Sequence, residues 1–121
     1  MKEAQDNIIV VKTRAFAIAS IALYKHIAAQ NEYVLSRQFL KSSTSIGANV
    51  KEAVRAQSKA DFVAKMSIAL KEASETEYWL DLLHESNYIK DNQYEQSQND
   101  CVEIIKILTT IINKAGLLSA T

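Results

Sequence analysis

Apolar residues recur at the three- and four-residue spacing of amphipathic helices in four long segments of the chain. These segments run from about Asp6 to Gln30, Ser36 to Gln57, Ser58 to Asn87, and from after Asp91 to Gly116. Asp6 is a candidate N-cap, Ser58 opens a sequence typical of a helix N-terminus, and Asn87 tolerates the left-handed conformation that often ends a helix. Helices of similar length joined by short loops pack antiparallel. The pattern therefore predicts one all-α domain over residues 1–121, an antiparallel up-down-up-down four-helix bundle.

Each predicted helix has an apolar stripe that should face the core of the bundle. In the first helix the stripe consists of Ile8, Val11, Ala15, Ile18 and Ala22, widened by Phe16, Leu23 and Ile27. In the second it consists of Phe39, Ser43, Ile46, Val50 and Ala53. The stripe of the third helix is Phe62, Met66, Ala69, Ala73, Thr76, Leu80 and Leu83. That of the fourth is Tyr94, Cys101, Ile104, Leu108, Ile111 and Ala115.

The apolar surface of the fourth helix is wider than one bundle core requires. Six side chains cover well over half of its circumference: Ile104, Ile105, Ile107, Leu108, Ile111 and Ile112. An apolar patch left in water usually marks an interface. The wide stripes of the first and fourth helices therefore predict self-association. The alternative is that the fourth helix lies deep in the fold and its neighbours cover it.

Composition narrows the fold class further. The chain has no proline, and its two glycines are Gly47 and Gly116. Hairpins, barrels and nucleotide-binding crossovers need turn residues with special backbone angles, so a β-rich fold and a glycine-rich phosphate loop are both disfavoured. The single cysteine, Cys101, excludes an intrachain disulfide and fits a reducing compartment. With no signal-peptide pattern and no apolar stretch near about 18 residues, the sequence predicts a cytoplasmic protein without a membrane segment.

Charge is balanced overall but divided along the chain. The net charge is zero, with 14 basic and 14 acidic side chains. Residues 1–65 carry ten basic and five acidic side chains, whereas residues 66–121 carry four basic and nine acidic ones. Such a chain can attract a polyanion to its basic part, or attract a second copy of itself head to tail. The alternative is that the two halves pair with each other within one fold.

The second helix carries an unusual row of small and polar residues on one face: Ser42, Ser45, Asn49 and Glu52. Serine is a weak helix former, and Gly47 costs about 1 kcal/mol relative to alanine in a helix interior. The third helix has a matching row: Glu72, Glu75 and Trp79. Small residues allow another helix to approach closely. We therefore predict a structural polar network in which Asn49 and Glu52 are mostly buried and bonded to the third helix or to a neighbouring subunit.

A different face of the second helix is basic. Its cations recur at nearly whole helical turns, and one more follows at the next loop: Arg37, Lys41, Lys51, Arg55 and Lys59. Arg37 and Arg55 are separated by about 27 Å along a straight helix. A stripe of this length spans several phosphates, so we predict these five residues as a nucleic-acid-binding surface. The alternative is an ordinary solvated helix face, where long cationic side chains are common.

Three stretches of the second and third helices resemble one protein family. They contain Ser43, Ser45, Ile46, Asn49 and Glu52, then Asp61 and Phe62, then Ser67–Ala69, Glu72, Glu75 and Tyr78–Leu80. This pattern resembles the bacterial four-helix-bundle proteins of the 23S ribosomal-RNA intervening-sequence family, of which the accessory variability protein of diversity-generating retroelements is a more distant member. The resemblance implies an all-α antiparallel bundle that forms a barrel-shaped homopentamer. It also implies a role with RNA or as an accessory to a nucleic-acid enzyme.

The sequence offers little for catalysis or metal binding. A di-iron bundle needs two carboxylate-x-x-His pairs, and only Asp81 with His84 has that spacing, because the other histidine, His26, has no such carboxylate. Cys101 lies in an apolar stripe and is predicted to be a core thiol. The carboxylates of the third helix have no nucleophile or phosphate cradle beside them in sequence. We therefore predict no enzyme activity, no metal and no cofactor.

Two functions are compatible with these sequence features. The first is an RNA-binding module, or an accessory to a nucleic-acid enzyme, that presents basic helix faces around a ring. The second is a structural or protein-interaction oligomer without a nucleic-acid role. Tyr78 and Trp79 are predicted to be packing or interface anchors, with base stacking as the alternative.

Overall fold

The structure, a computed structural model, describes the backbone of residues 4–120 and the side chains of residues 7–116. It contains four helices, α1 (Ala4–Ala28), α2 (Val34–Val54), α3 (Lys59–Glu85) and α4 (Asp91–Ala120), which confirms the predicted all-α fold class. Two predicted boundaries are wrong. Asp6 lies inside α1 rather than capping it, and α4 continues through Gly116. A glycine inside a helix costs only about 1 kcal/mol, so Gly116 alone does not end α4.

Two asparagines reverse the chain at the ends of α1 and α3. Asn31 has a φ of 65° and Asn87 a φ of 66°. Asparagine tolerates this left-handed conformation better than most residues because its short side chain hydrogen-bonds locally. The prediction for Asn87 is confirmed. At the start of α3, the Ser58 hydroxyl accepts a hydrogen bond from the Asp61 N–H at 3.0 Å, as the capping sequence predicts.

Glu32 caps α2 through its side chain. Its carboxylate accepts hydrogen bonds from the N–H groups of Val34, Leu35 and Ser36 at 3.3, 2.9 and 2.7 Å. Burial acts to raise the pKa of Glu32, but these backbone donors and the Ser36 hydroxyl outweigh it and lower that pKa below its ordinary value. The carboxylate therefore satisfies helix N–H groups that would otherwise have no partner.

We expect Glu32→Ala to destabilise the protein by about 1 kcal/mol at neutral pH, the usual loss for a helix cap. Because the pKa of Glu32 is lowered by folding, its stabilising effect is complete above the unfolded-state pKa of about 4.3 and is lost as the pH falls further. Thermal melts followed by circular dichroism at pH 7 and about pH 3 test both statements. An equal difference between wild type and variant at the two pH values would contradict them.

The helices pack in a ring in which α2 contacts α1 and α3, and α4 contacts α3 and α1. Two contacts show that the neighbouring helices α2 and α3 run antiparallel. Along α2 and α3, Ser42 meets Thr76 whereas Glu52 meets Lys65, so the partner's number falls as the chain advances. These contacts are consistent with the predicted up-down-up-down order.

The buried face of α2, α3 and α4 is the one that periodicity predicts. The α2 and α3 stripes are buried along their full length. In α4, Ile104, Leu108 and Ile111 are buried, and the remaining isoleucines of its wide stripe pack half-buried against the core. The neighbours of α4 therefore cover it, which is the alternative that sequence analysis left open. The predicted apolar patch on α4 does not form within the described residues.

The predicted orientation of α1 is wrong. Its main apolar stripe faces solvent, with Ile8, Val11 and Ile18 exposed to 45%, 67% and 54%. The face turned to the core is the one with fewer apolar residues: Ile9, Thr13, Phe16, Ser20 and Ile27. The Thr13 hydroxyl donates to the Ile9 carbonyl at 2.7 Å, which allows a polar side chain to be buried. Both faces of α1 are apolar, so periodicity alone does not decide which one is buried.

Candidate nucleic-acid interface

Helix α2 turns its apolar face to the core and its basic face to solvent. Phe39, Ile46 and Val50 are fully buried. The predicted cations lie on the opposite side of the helix or at the start of α3, and all are exposed; we call them the basic stripe: Arg37, Lys41, Lys51, Arg55 and Lys59. The four cations of the second helix therefore share its outward face, and Lys59 is exposed at the start of α3.

Among the described residues, no carboxylate lies within ion-pairing distance of the basic stripe. Among the described residues the ion pairs shorter than 4.0 Å are Lys12–Glu103, Lys65–Glu52 and His84–Asp91. Lys41 lies close enough to Glu72 of α3 to act against the rise in the pKa of that carboxyl. The stripe is therefore a concentration of positive charge that forms no ion pair with the described carboxylates.

A groove between α1 and α2 adds a further cation beside the stripe. The groove has a volume of about 730 Å³, and Arg14 of α1 lines it together with Lys51 and Arg55. At its floor the helices approach closely, since a Cβ on Gly47 would lie 3.4 Å from two atoms of Thr13. Arg14 could not be predicted from the sequence, because no pattern along the chain relates it to residues on another helix.

The predicted polar network forms only in part within the chain. The hydroxyl oxygens of Ser42 and Thr76 lie 2.8 Å apart and join α2 to α3. Asn49 is half-buried, and its amide donates to the Ser45 carbonyl of its own helix at 2.8 Å. Glu52 is not buried by the chain as predicted; its side chain is 59% exposed and pairs with Lys65 at 3.5 Å. Its position beside the outward face of α2 explains this exposure.

Two of the three acidic members of the predicted network lie on α3, beyond the basic stripe. Glu72 is half-buried and Glu75 is exposed. Burial and the nearby Glu75 raise the pKa of Glu72, against the smaller opposing effects of Lys41 and Lys71. The carboxylate of Glu72 on α3 thus lies near the Lys41 end of the basic stripe.

The outward face of α1 is an exposed apolar surface next to the groove; we call it the α1 face and define it as Ile8, Val11, Ala15, Ile18 and Ala22. Contiguous apolar surfaces of this kind mark interaction sites in soluble proteins. Judged by length and composition, the segment Asn7–Ala28 is also apolar enough to cross a membrane, and only 28% of its most apolar stretch is buried. Of the two helices whose wide apolar stripes predict self-association, α1 is therefore the one that leaves an apolar surface exposed.

A second polar cluster joins the end of α3 to the start of α4. His84 Nε2 lies 2.7 Å from Asp91, and its ring stacks on Tyr94 at 4.2 Å. The Tyr94 hydroxyl donates to Asp81 at 2.5 Å, and this bond raises the pKa of Tyr94. In the part of the chain that the structure describes, no group of three or more His, Cys, Asp or Glu is arranged to hold a metal ion. The cluster ties two helices together at a corner of the bundle.

Cys101 and Trp79 both lie against the core. Burial, with smaller effects of Glu77 and Asp100, raises the pKa of the Cys101 thiol to about 12. The thiol contacts the Ala73 carbonyl at 3.3 Å, and a thiol in this setting is unreactive. Trp79 is half-buried against the core cluster, and its indole N–H has no hydrogen-bond partner among the described residues. Trp79 therefore has contacts that fit a packing anchor.

Comparison with known proteins places the chain in a family. The family described as 23S rRNA-intervening sequence protein matches residues 5–110. The chain belongs to this family. It is 52% identical to a solved protein of unknown function from the S23 ribosomal protein family of Bacteroides thetaiotaomicron, with a TM-score of 0.88 over 90% of this chain and 98% of that one. Comparison with curated proteins gives no match.

The resemblance to the 23S ribosomal-RNA intervening-sequence family that the sequence predicts is thus confirmed. The matched region, residues 5–110, includes the whole of α2 and α3. It also includes Arg14, the basic stripe and the α1 face. The surfaces described above therefore lie within the family's own domain rather than in an added segment.

Proposed function

We propose that this intervening-sequence family member is a non-enzymatic, cytoplasmic, self-associating bundle that binds RNA through the basic stripe, alone or as an accessory to a nucleic-acid enzyme. The observation that carries the proposal is the stripe itself: four exposed cations on one face of the second helix and Lys59 just beyond it, with no carboxylate within 4.0 Å among the described residues. Arg14 extends this positive surface across the groove to α1.

The binding energy would come largely from counterion release. Lysine and arginine displace the cations condensed on phosphates, so affinity falls steeply as salt is added. Among the described residues, this surface has few aromatic side chains. A protein distinguishes RNA sequences by hydrogen bonds to the bases and by stacking on them, and not by charge alone. We therefore expect weak sequence preference together with steep salt dependence.

Self-association would raise the affinity further. The α1 face gives an apolar surface that a second copy can cover, and the divided charge of the chain favours a head-to-tail contact that closes into a ring. We propose five subunits, the number that the family resemblance implies. A ring repeats the basic stripe in every subunit, so several weak contacts act together on one RNA.

A second function is a structural or protein-interaction oligomer without a nucleic-acid role. The α1 face favours it, because an exposed apolar surface serves protein contacts whatever the stripe does. Wild-type protein titrated with labelled RNA at several salt concentrations separates the two. Tight binding at low salt with a steep salt slope supports the RNA function, and absence of binding at every salt concentration supports the protein-interaction function.

A further inference from the structure

The basic stripe has its charge concentrated in two pairs. Arg37 with Lys41 forms one pair and Lys51 with Arg55 the other, each one helical turn apart on the outward face of α2. Corresponding members of the two pairs are 14 residues apart in sequence, which is about 21 Å along the helix. The residues between the pairs on this face are short and uncharged, Thr44 and Ala48. Arg14, across the groove, adds to the second pair.

Stacking surfaces for unpaired bases are sparse along the stripe. Phe39 is the aromatic residue within α2, and it is fully buried. Tyr33, one turn before Arg37, is 48% exposed, and its hydroxyl donates to Asn31 at 2.9 Å. Proteins that bind single strands combine positive charge with aromatic rings on which successive bases stack. A single exposed ring at one end of α2 offers at most one such contact.

The spacing of the two pairs suits a rigid polyanion. A helix holds the pairs at a fixed separation, and a duplex holds its phosphates at fixed separations across its grooves. Proteins that bind double-stranded RNA contact its backbone at successive grooves along one side of the duplex. Two pairs held about 21 Å apart on one helix can therefore reach phosphates at two separate places on such a duplex. A single strand would have to be ordered and extended to meet both pairs, with little stacking to offset the lost entropy.

We propose that the stripe is built for double-stranded RNA and binds its phosphate backbone at two separate places. This inference rests on the proposed RNA binding and specifies the kind of RNA. The two pairs bind one RNA molecule at the same time. The affinity gained from having both pairs therefore depends on an RNA whose phosphates are held at a fixed separation before binding. Recognition of this type reads the shape of the duplex and not its sequence.

Fluorescence anisotropy with the full-length protein tests the proposal. The probes are an RNA duplex of about 20 base pairs, longer than the about 16 base pairs that a double-stranded RNA-binding domain covers, and each of its separated strands. At equal low salt we expect the duplex to bind at least about 10-fold more tightly than either strand. Equal or tighter binding of the strands would overturn the duplex preference alone. Binding of neither form would overturn the proposed function as well.

Paired variants test the two-point contact. Arg37→Gln with Lys41→Gln removes one pair, and Lys51→Gln with Arg55→Gln removes the other. Each double variant should bring the ratio of duplex to single-strand affinity close to one. A single remaining pair contacts the phosphates at one place, so the fixed spacing of phosphates in a duplex no longer increases the affinity. Tyr33→Ala is the stacking control and should leave duplex binding unchanged. A loss of binding in Tyr33→Ala, or an unchanged affinity ratio in both double variants, would overturn the proposal.

Discussion

Val11→Glu combined with Ile18→Glu should convert the protein from an oligomer to a monomer that keeps its fold. Both side chains lie on the α1 face and are more than half exposed in the single chain, so neither substitution removes core packing. If a second copy covers this face, each carboxylate must be desolvated or left in a disrupted contact, and a buried unpaired charge is strongly unfavourable. We expect association to weaken by at least about 100-fold, equivalent to about 2.7 kcal/mol.

Light scattering after size exclusion at micromolar concentration measures the effect, and circular dichroism confirms the helical fold. A matched control places two glutamates on the exposed polar face of α4, Asn99→Glu with Asn113→Glu, and should leave the oligomer intact. A monomeric mass for the wild type at every concentration would contradict self-association. If that monomer also floated with lipid vesicles, the α1 face would be assigned to a membrane surface instead.

Sequence periodicity succeeds for α2 and α3 because each helix has one apolar side. Phe39 and Val50, like Met66 and Leu80, recur on a single face, and burial of that face is the main driving force for packing. The same one-sidedness places Arg37 and Arg55 on the outside of α2. The basic stripe could therefore be predicted from the sequence, since it needs only the period of one helix and the position of its core face.

Other features depend on information that periodicity does not contain. Helix α1 has apolar residues on both its core face and its solvent face, and packing against α2 and α4 decides which face is buried, so periodicity predicts the wrong side for Val11 and Ile18. Arg14 joins the stripe through the contact between α1 and α2. Glu32 caps α2 from two residues before the helix begins, whereas sequence rules look for a short polar side chain at the N-cap itself.

The largest effect on function is expected from removing four cations of the basic stripe together. The stripe variant carries Arg37→Gln, Lys41→Gln, Lys51→Gln and Arg55→Gln. Glutamine is a good helix former, and all four positions are exposed, so the fold and the oligomer should be retained. Each phosphate contact contributes about 0.7 to 0.9 to the slope of log affinity against log salt, so losing four contacts should flatten the slope by about 3 per subunit.

A control variant matched in charge separates the site from the net charge. It removes four exposed lysines elsewhere: Lys25→Gln, Lys71→Gln, Lys90→Gln and Lys106→Gln. Both variants change the charge of the chain by the same amount, so long-range attraction falls equally in the two. A difference between them therefore reports contacts made at the stripe.

The affinity of wild type, stripe variant and control variant for one RNA at low salt is the most direct test of RNA binding through α2. We predict that the stripe variant binds at least about 100-fold more weakly than the wild type, with a flatter salt slope, and that the control variant stays within about 10-fold of it. Equal losses in the two variants, or unchanged binding by the stripe variant, would contradict a binding site on the basic stripe.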